Sequence, residues 1–167
     1  AHPGTARAPL DVNHAVEAAL VLTKHEYKYV ADVALSLGDV PAVLANSGEV
    51  NQVIVNLVVN AAHAIAERHA RDQRRGHITV STERDGASVT IRVTDDGAGI
   101  DDDARDKIFE PFFTTKPIGR GTGQGLAIAR AILERHGGSI SFTSEIGVGT
   151  TFVVQLPCAE IPAERAA

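Results

Sequence analysis

The stretch HITVSTERDGASVTIRVTDDGAGI, residues 77–100, holds two runs in which apolar and polar residues alternate, joined at Asp85-Gly86. Alternation puts every second side chain on one face of a strand, and Asp-Gly is a preferred pair for a tight hairpin turn. The two runs therefore predict an antiparallel pair. The second run ends in Asp95-Asp96-Gly97-Ala98-Gly99, which is poor strand material and more than a turn requires. Glycines at 97 and 99 permit positive φ and let a ligand approach without a Cβ in the way. An ionised Asp only accepts hydrogen bonds, which suits an amino group such as that of adenine. A capped turn leading into DDDARDKIF, residues 101–109, accounts for the same residues without any ligand.

Upstream lies the strongest helical signal. SGEVNQVIVNLVVNAAHAIAERHARD, residues 47–72, carries Val50, Ile54, Leu57, Val58, Ala61 and Ile65 at helical spacing, with Ser47 placed to cap a helix running to about Arg71. Asn56, Asn60 and His63 fall at i, i+4 and i+7 and share one face. Asparagine is a mediocre helix former, so two of them in NLVVNAA are either a polar stripe facing water or neutral oxygen donors for a hard cation such as Mg²⁺.

Further upstream, AHPGTARAP reads as a linker or cloning remnant. LDVNHAVEAALVLTKHEYKYV reads as a short strand and a helix starting near Asn13, VADVALSLG as a strand, and VPAVLAN as a brief extended piece. Downstream, DDDARDKIF has the acidic start of a helix, and EPFFTTKPIGRGTGQG the Pro and Gly content of a long loop. GLAIARAILERHGG is a helix closing at Gly137, and SISFTSEIGVGTTFVVQLP a last hairpin. Strands and helices mixed in this way predict an α+β fold, a mostly antiparallel sheet covered by helices on one face. In GRGTGQG, free N–H groups at a helix start beside a glycine run suit phosphates, and Lys116 and Arg120 can add charge-assisted contacts. The run is neither a Walker loop nor a dinucleotide fingerprint.

With 167 residues, 44% of them hydrophobic, the chain fits one core. A formal net charge of −5 with both signs interspersed gives no basic face for nucleic acid and no polybasic arm for a membrane. Cys158 is the single cysteine, which excludes an internal disulfide and suits a reducing, cytoplasmic setting. No apolar run reaches the ~20 residues that span a bilayer, and the absence of methionine marks the chain as a fragment of a larger protein that can itself be membrane-bound.

NLVVNAA, DDGAGI, FEPFF and GTGQGL, in this order, closely resemble the N, G1, F and G2 boxes of the catalytic ATP-binding domain of sensor histidine kinases. That domain is a member of the GHKL superfamily, with gyrase, Hsp90-type chaperones and mismatch-repair ATPases. The likeness extends to IFEPFFTTK and GVGTTFVVQLP and covers roughly residues 9–157, leaving 1–8 as linker and 158–167 as tail. The TTK after the F box resembles the nitrogen-regulation type.

The resemblance implies a Bergerat two-layer α/β sandwich with a flexible ATP lid over 114–124 that nucleotide would order. It implies ATP or ADP with Mg²⁺ as ligands. Asp95 would accept from the adenine amino group, with Gly97, Gly99 and Ile100 beside the base and Thr150 helping through its hydroxyl. Asn60 would coordinate Mg²⁺ with Asn56 nearby. Lys116, Arg120, Gly121, Thr122, Gly123, Gly125 and Leu126 would surround the phosphate tail, and Phe109, Phe112 and Phe113 would anchor the lid. His63 stands where many members carry Lys, and Gln124 replaces a usual apolar residue.

The implied activity is transfer of the γ-phosphoryl group to a histidine on a separate dimerisation and phosphoacceptor hairpin, absent from this chain, with a response regulator downstream and the fragment itself monomeric. His25-Glu26 lacks the rest of the acceptor motif. A GHKL ATPase or serine kinase, and a nucleotide-binding module without catalysis, are the alternatives. The hydrolases resemble one another in a general-base Glu four residues before the metal Asn, where this chain has Asn56.

Overall fold

A computed structural model describes residues 6–113 and 125–159. The strands are β1 (Ala8–Leu10), β2 (Ala31–Leu37), β3 (Val43–Ala45), β4 (Gly76–Asp85), β5 (Ser88–Asp95), β6 (Ser139–Glu145) and β7 (Gly149–Pro157). The helices are α1 (Val12–Leu22), α2 (Lys24–Tyr27), α3 (Ser47–Arg68) and α4 (Gly125–Arg135). Five strands form one sheet in the order β2-β4-β5-β7-β6, antiparallel throughout except for β2 against β4. β1 and β3 form a separate antiparallel ribbon.

One face of the sheet carries the helices. Ile78, Val80, Val89, Ile91, Val93, Phe152, Val154 and Leu156 point into that layer and are buried, as alternation requires. They meet apolar residues of α1, α3 and α4 in one core. The other face stays polar, with Thr94 and Thr151 hydroxyls 3.0 Å apart across strands and Arg92 paired with Glu83. The expected α+β sandwich is the one observed. Among the described residues, no helix is long and apolar enough to cross a membrane.

Several local expectations change. Asp11, not Asn13, caps α1, its Oδ1 accepting from Asn13 N at 3.0 Å and His14 N at 3.4 Å. The Asn13 side chain instead donates to Gly38 O at 2.7 Å and accepts from Thr82 at 2.6 Å, joining the helix to β4. Asn46, not Ser47, caps α3 through Glu49 N at 2.9 Å, and the helix stops at Arg68 rather than Arg71. HEYKYV forms the short α2 and a turn beyond Thr23 rather than continuing α1. In the first hairpin Asp85 pairs with Ser88, so the two-residue turn is Gly86-Ala87 with Gly86 at φ +60°. Glycine at the first turn position fits a primed hairpin turn. DDDARDKIF makes only a 3₁₀ turn over Asp102–Ala104, and i→i+3 bonds at Lys107, Glu110 and Phe113 carry the chain onward in further turns.

Candidate functional site

Asp95 ends β5 as the register partner of Thr150 on β7, and each is 5% exposed. Asp95 Oδ1 accepts from Gly97 N at 2.9 Å. Burial pushes its carboxyl up to about 6, against the pull of the Gly97 and Thr150 N–H groups, with neighbouring Asp96 pushing further up. Thr150 Oγ1 lies 2.7 Å from Ser144 Oγ, which also accepts from Ile100 N at 2.8 Å. Ser144 thus ties Ile100 and Thr150 together; a lone serine in an alternating strand gives no sequence signal.

The second carboxylate serves the scaffold. Asp96 accepts from His77 N at 2.7 Å and pairs with His77 Nδ1 at 2.9 Å. Burial would raise its carboxyl, but the His77 N–H groups outweigh it and hold Asp96 below the usual range. Its carbonyl accepts from Arg68 at 2.7 Å, and the same guanidinium reaches Val148 O at 3.2 Å.

The glycines also act differently from expectation. A Cβ on Gly97 would lie 2.6 Å from the Ala64 carbonyl carbon, so this position lets the turn press against α3 rather than a ligand. Gly99 takes the expected positive φ, +79°, but a Cβ there would run into the Glu145 carbonyl of the last hairpin. Ala98 sits between them, donating to Ala64 O at 3.0 Å and accepting from Gly147 N at 2.9 Å. Gly149, unforeseen from sequence, has φ +146° and lies against the Asp95 carbonyl.

On α3, Asn56, Asn60 and His63 are all half-buried. Ala64, which receives the Asp95 turn, follows Asn60 by four residues of α3, about 6 Å of rise. Asn56 Nδ2 donates to Gly125 O at 3.0 Å and its Oδ1 accepts from Gln52 at 2.6 Å, so both ends of this amide are engaged. Asn56 is a strut between α3 and the start of α4. His63 Nε2 lies 3.6 Å from Glu26 of α2, whose other oxygen is 3.5 Å from His25.

Phe109 packs on Phe142 with centroids 6.0 Å apart beneath the Arg130 guanidinium, and Phe113 and Leu126 pack on the core. Phe112 does not anchor there: it is 71% exposed with φ +67°. Lys116, Arg120, Gly121, Thr122 and Gly123 lie outside the described residues. A cleft of about 500 Å³ at the same end of the sheet is lined by Asp95, Ser144 and Thr150 together with His77, Thr94 and Thr143 of the open face, and by no residue of α3. Among the described residues, no cluster of His, Cys, Asp and Glu could hold a metal ion.

A buried strand-end carboxylate, an asparagine helix face and a glycine-led helix thus come together on one side of the sheet. Residues 45–160 match the family of histidine kinase-, DNA gyrase B- and HSP90-like ATPases. The chain belongs to that family.

Its relatives within the histidine kinase-like ATPases are sensor kinases. Sensor histidine kinase ZraS of Escherichia coli strain K12 is 44% identical over 117 residues, 70% of this chain and 23% of the relative. The C4-dicarboxylate transport sensor protein DctS of Rhodobacter capsulatus is 39% identical over 165 residues, 95% of this chain and 23% of the relative. The chain therefore spans about a quarter of the length of these relatives.

Among solved structures, a nucleotide-free catalytic domain of histidine kinase ThkA is 30% identical with a TM-score of 0.76, covering 90% of this chain and 95% of that one. Full-length ShkA in complex with AMPPNP is 26% identical with a TM-score of 0.78, covering 97% of this chain and 34% of that one. The domain is accordingly a histidine kinase catalytic domain of the two-component sensor class, as its four motifs led one to expect.

Proposed function

We propose that this domain lies in the cytoplasm, binds Mg-ATP and donates the γ-phosphoryl group to a histidine on a separate phosphoacceptor hairpin of a sensor of the nitrogen-regulation type. We assign the domain to residues 9–157. The observation that carries the reading is Asp95: a carboxylate 5% exposed, next to the buried Thr150 hydroxyl, on the side of the sheet that bears Asn60 and the start of α4. An ionised carboxylate there accepts from the amino group of adenine, and guanine, which presents a carbonyl oxygen at that position, is refused.

Asn60 offers the neutral oxygen that suits a hard cation, so the residues present fit Mg²⁺, and Asn56 holds α3 to the start of α4 beside it. When bound, Mg²⁺ would neutralise charge on the phosphate oxygens. Gly125 and the glycines before it, with Lys116, would add N–H and ammonium donors. Phosphoryl transfer passes through a loose transition state that needs alignment and charge neutralisation more than bond-making by the protein. Asn56 cannot take a proton from water or a hydroxyl at neutral pH, and its amide is engaged at both ends, so this position supplies no base for hydrolysis. A neutral imidazole nitrogen needs none.

Incubation with radiolabelled ATP and a phosphoacceptor hairpin supplied in trans tests this directly. Labelled hairpin with slow or absent phosphate release is the expected result. Rapid phosphate release without labelling of the hairpin contradicts it.

A further inference from the structure

Helices α3 and α4 run antiparallel and are fastened by polar contacts near both ends of α4. Toward the Asn60 end, Asn56 donates to Gly125 O at 3.0 Å. Toward the other end, Asn46 N donates to Nε2 of His136 at 3.1 Å, and Arg135 pairs with Glu49. Ten residues of α3 separate Asn46 from Asn56, so the two fastenings stand about 15 Å apart. Between them, the buried residues of α4 are Ala129, Ile132 and Leu133, all apolar. Apolar burial is non-directional and fixes the sliding of one helix along another less sharply than hydrogen bonds do.

His136 is 4% exposed, and its Nδ1 lies 2.8 Å from Ile132 O one turn back on its own helix. A carbonyl only accepts and a backbone N–H only donates, so the ring carries its proton on Nδ1 and turns a bare Nε2 to Asn46. Asn46 is also the α3 cap, and its Nδ2 donates to Ala6 O at 3.1 Å, while Arg7 donates to Arg135 O. The end of α4, the start of α3 and the leading residues of the chain thus meet around one buried imidazole that the proposed chemistry does not use.

We propose that His136 is a positioning residue for the phosphate end of the nucleotide site. By fixing the start of α3 against the end of α4, it sets the register in which Asn56 meets Gly125, one helical turn before Asn60. The inference rests on the nucleotide-binding reading above. His136 contacts no nucleotide and acts through the two helices, so its loss weakens the hold on phosphates and leaves the hold on the base intact.

Two near-isosteric variants separate this role from simple packing. His136→Gln keeps an acceptor near the place of Nε2, while His136→Asn keeps a donor near Nδ1 and leaves Asn46 N–H unpaired. Both lose one hydrogen bond, and both are expected to melt below the wild type. The discriminating readout is binding of Mg-ADP against adenosine, followed by NMR titration. His136→Asn is expected to bind Mg-ADP about tenfold more weakly, about 1.4 kcal/mol, with adenosine affinity unchanged. His136→Gln is expected to bind both ligands as the wild type does.

Equal losses for both ligands, or none for either, would overturn the proposal. If His136→Asn does not fold, the wild type still decides, because coupling is reciprocal: Mg-ADP must slow hydrogen exchange at Asn46 N–H more than adenosine does, and equal rates would overturn the proposal. A wild type that binds neither ligand rejects the nucleotide reading itself.

Discussion

At the end of β5, Asp95 is fenced by backbone and nearly shut off from water, whereas Asn56 and Asn60 on α3 are half-buried, and Asn56 meets its neighbours through its side chain. In the proposed reading the base end of the site is cut into the sheet, and its key group is a carboxylate held where its charge is disfavoured. In the same reading the phosphate end is assembled on a helix surface from neutral amides. On that reading, selectivity for one base comes at a cost in fold stability, while Asn60 can be changed with little effect on the fold. Both halves of that contrast can be broken by experiment.

The largest effect concerns pH. The Asp95 carboxyl titrates near 6 in the fold against 3.8 as the reference, so the native state holds a proton that the unfolded chain has released. Stability from this group is full below pH 4 and is lost as pH rises to about 6, by about 3 kcal/mol for two pKa units. Denaturant melts from pH 4 to 7 should show that fall in the wild type and not in Asp95→Asn. In the same window affinity for ADP should rise with pH, because the protonated carboxyl is no longer a pure acceptor.

Next in size is Gly97→Ala. With a Cβ placed 2.6 Å from the Ala64 backbone, α3 or the turn must shift, at about 1–3 kcal/mol of stability, and nucleotide binding should fall with it. A variant as stable as the wild type would show that the turn is not pressed against the helix. Asp96→Asn weakens its bonds with His77 and should cost about 1 kcal/mol in a chemical melt while leaving the base specificity unchanged. The smallest effect on the fold is that of Asn60→Ala, within about 0.5 kcal/mol of the wild type. Its signature is functional: the gain in ADP affinity on adding Mg²⁺ should disappear.

Elements with a strong period were legible in the sequence. The alternation around Asp85-Gly86, the apolar stripe from Val50 to Ile65, and the close at Gly137 (φ +72°) all appear where expected. Choices between adjacent capping residues were not, because Asp11 and Asn13, or Asn46 and Ser47, are chemically equivalent until Gly38 and Thr82 claim the Asn13 side chain and Asn46 turns to Glu49. Contacts between distant parts of the chain were equally hidden. The two carboxylates of DDGAGI look alike on paper, and only the approach of His77 and Thr150 separates the structural Asp96 from the buried Asp95. The same holds for Gly97, whose partner Ala64 stands on α3, and for Ser144 and Gly149, which matter through the neighbours that the last hairpin gives them.

The most direct test of the central claim is calorimetric titration of the chain with ATP and ADP, with and without Mg²⁺, beside Asp95→Asn. The wild type is expected to bind both nucleotides, and the variant, though at least as stable at pH 7, to bind neither measurably. A stable variant that binds as the wild type does would contradict the placement of adenine at Asp95.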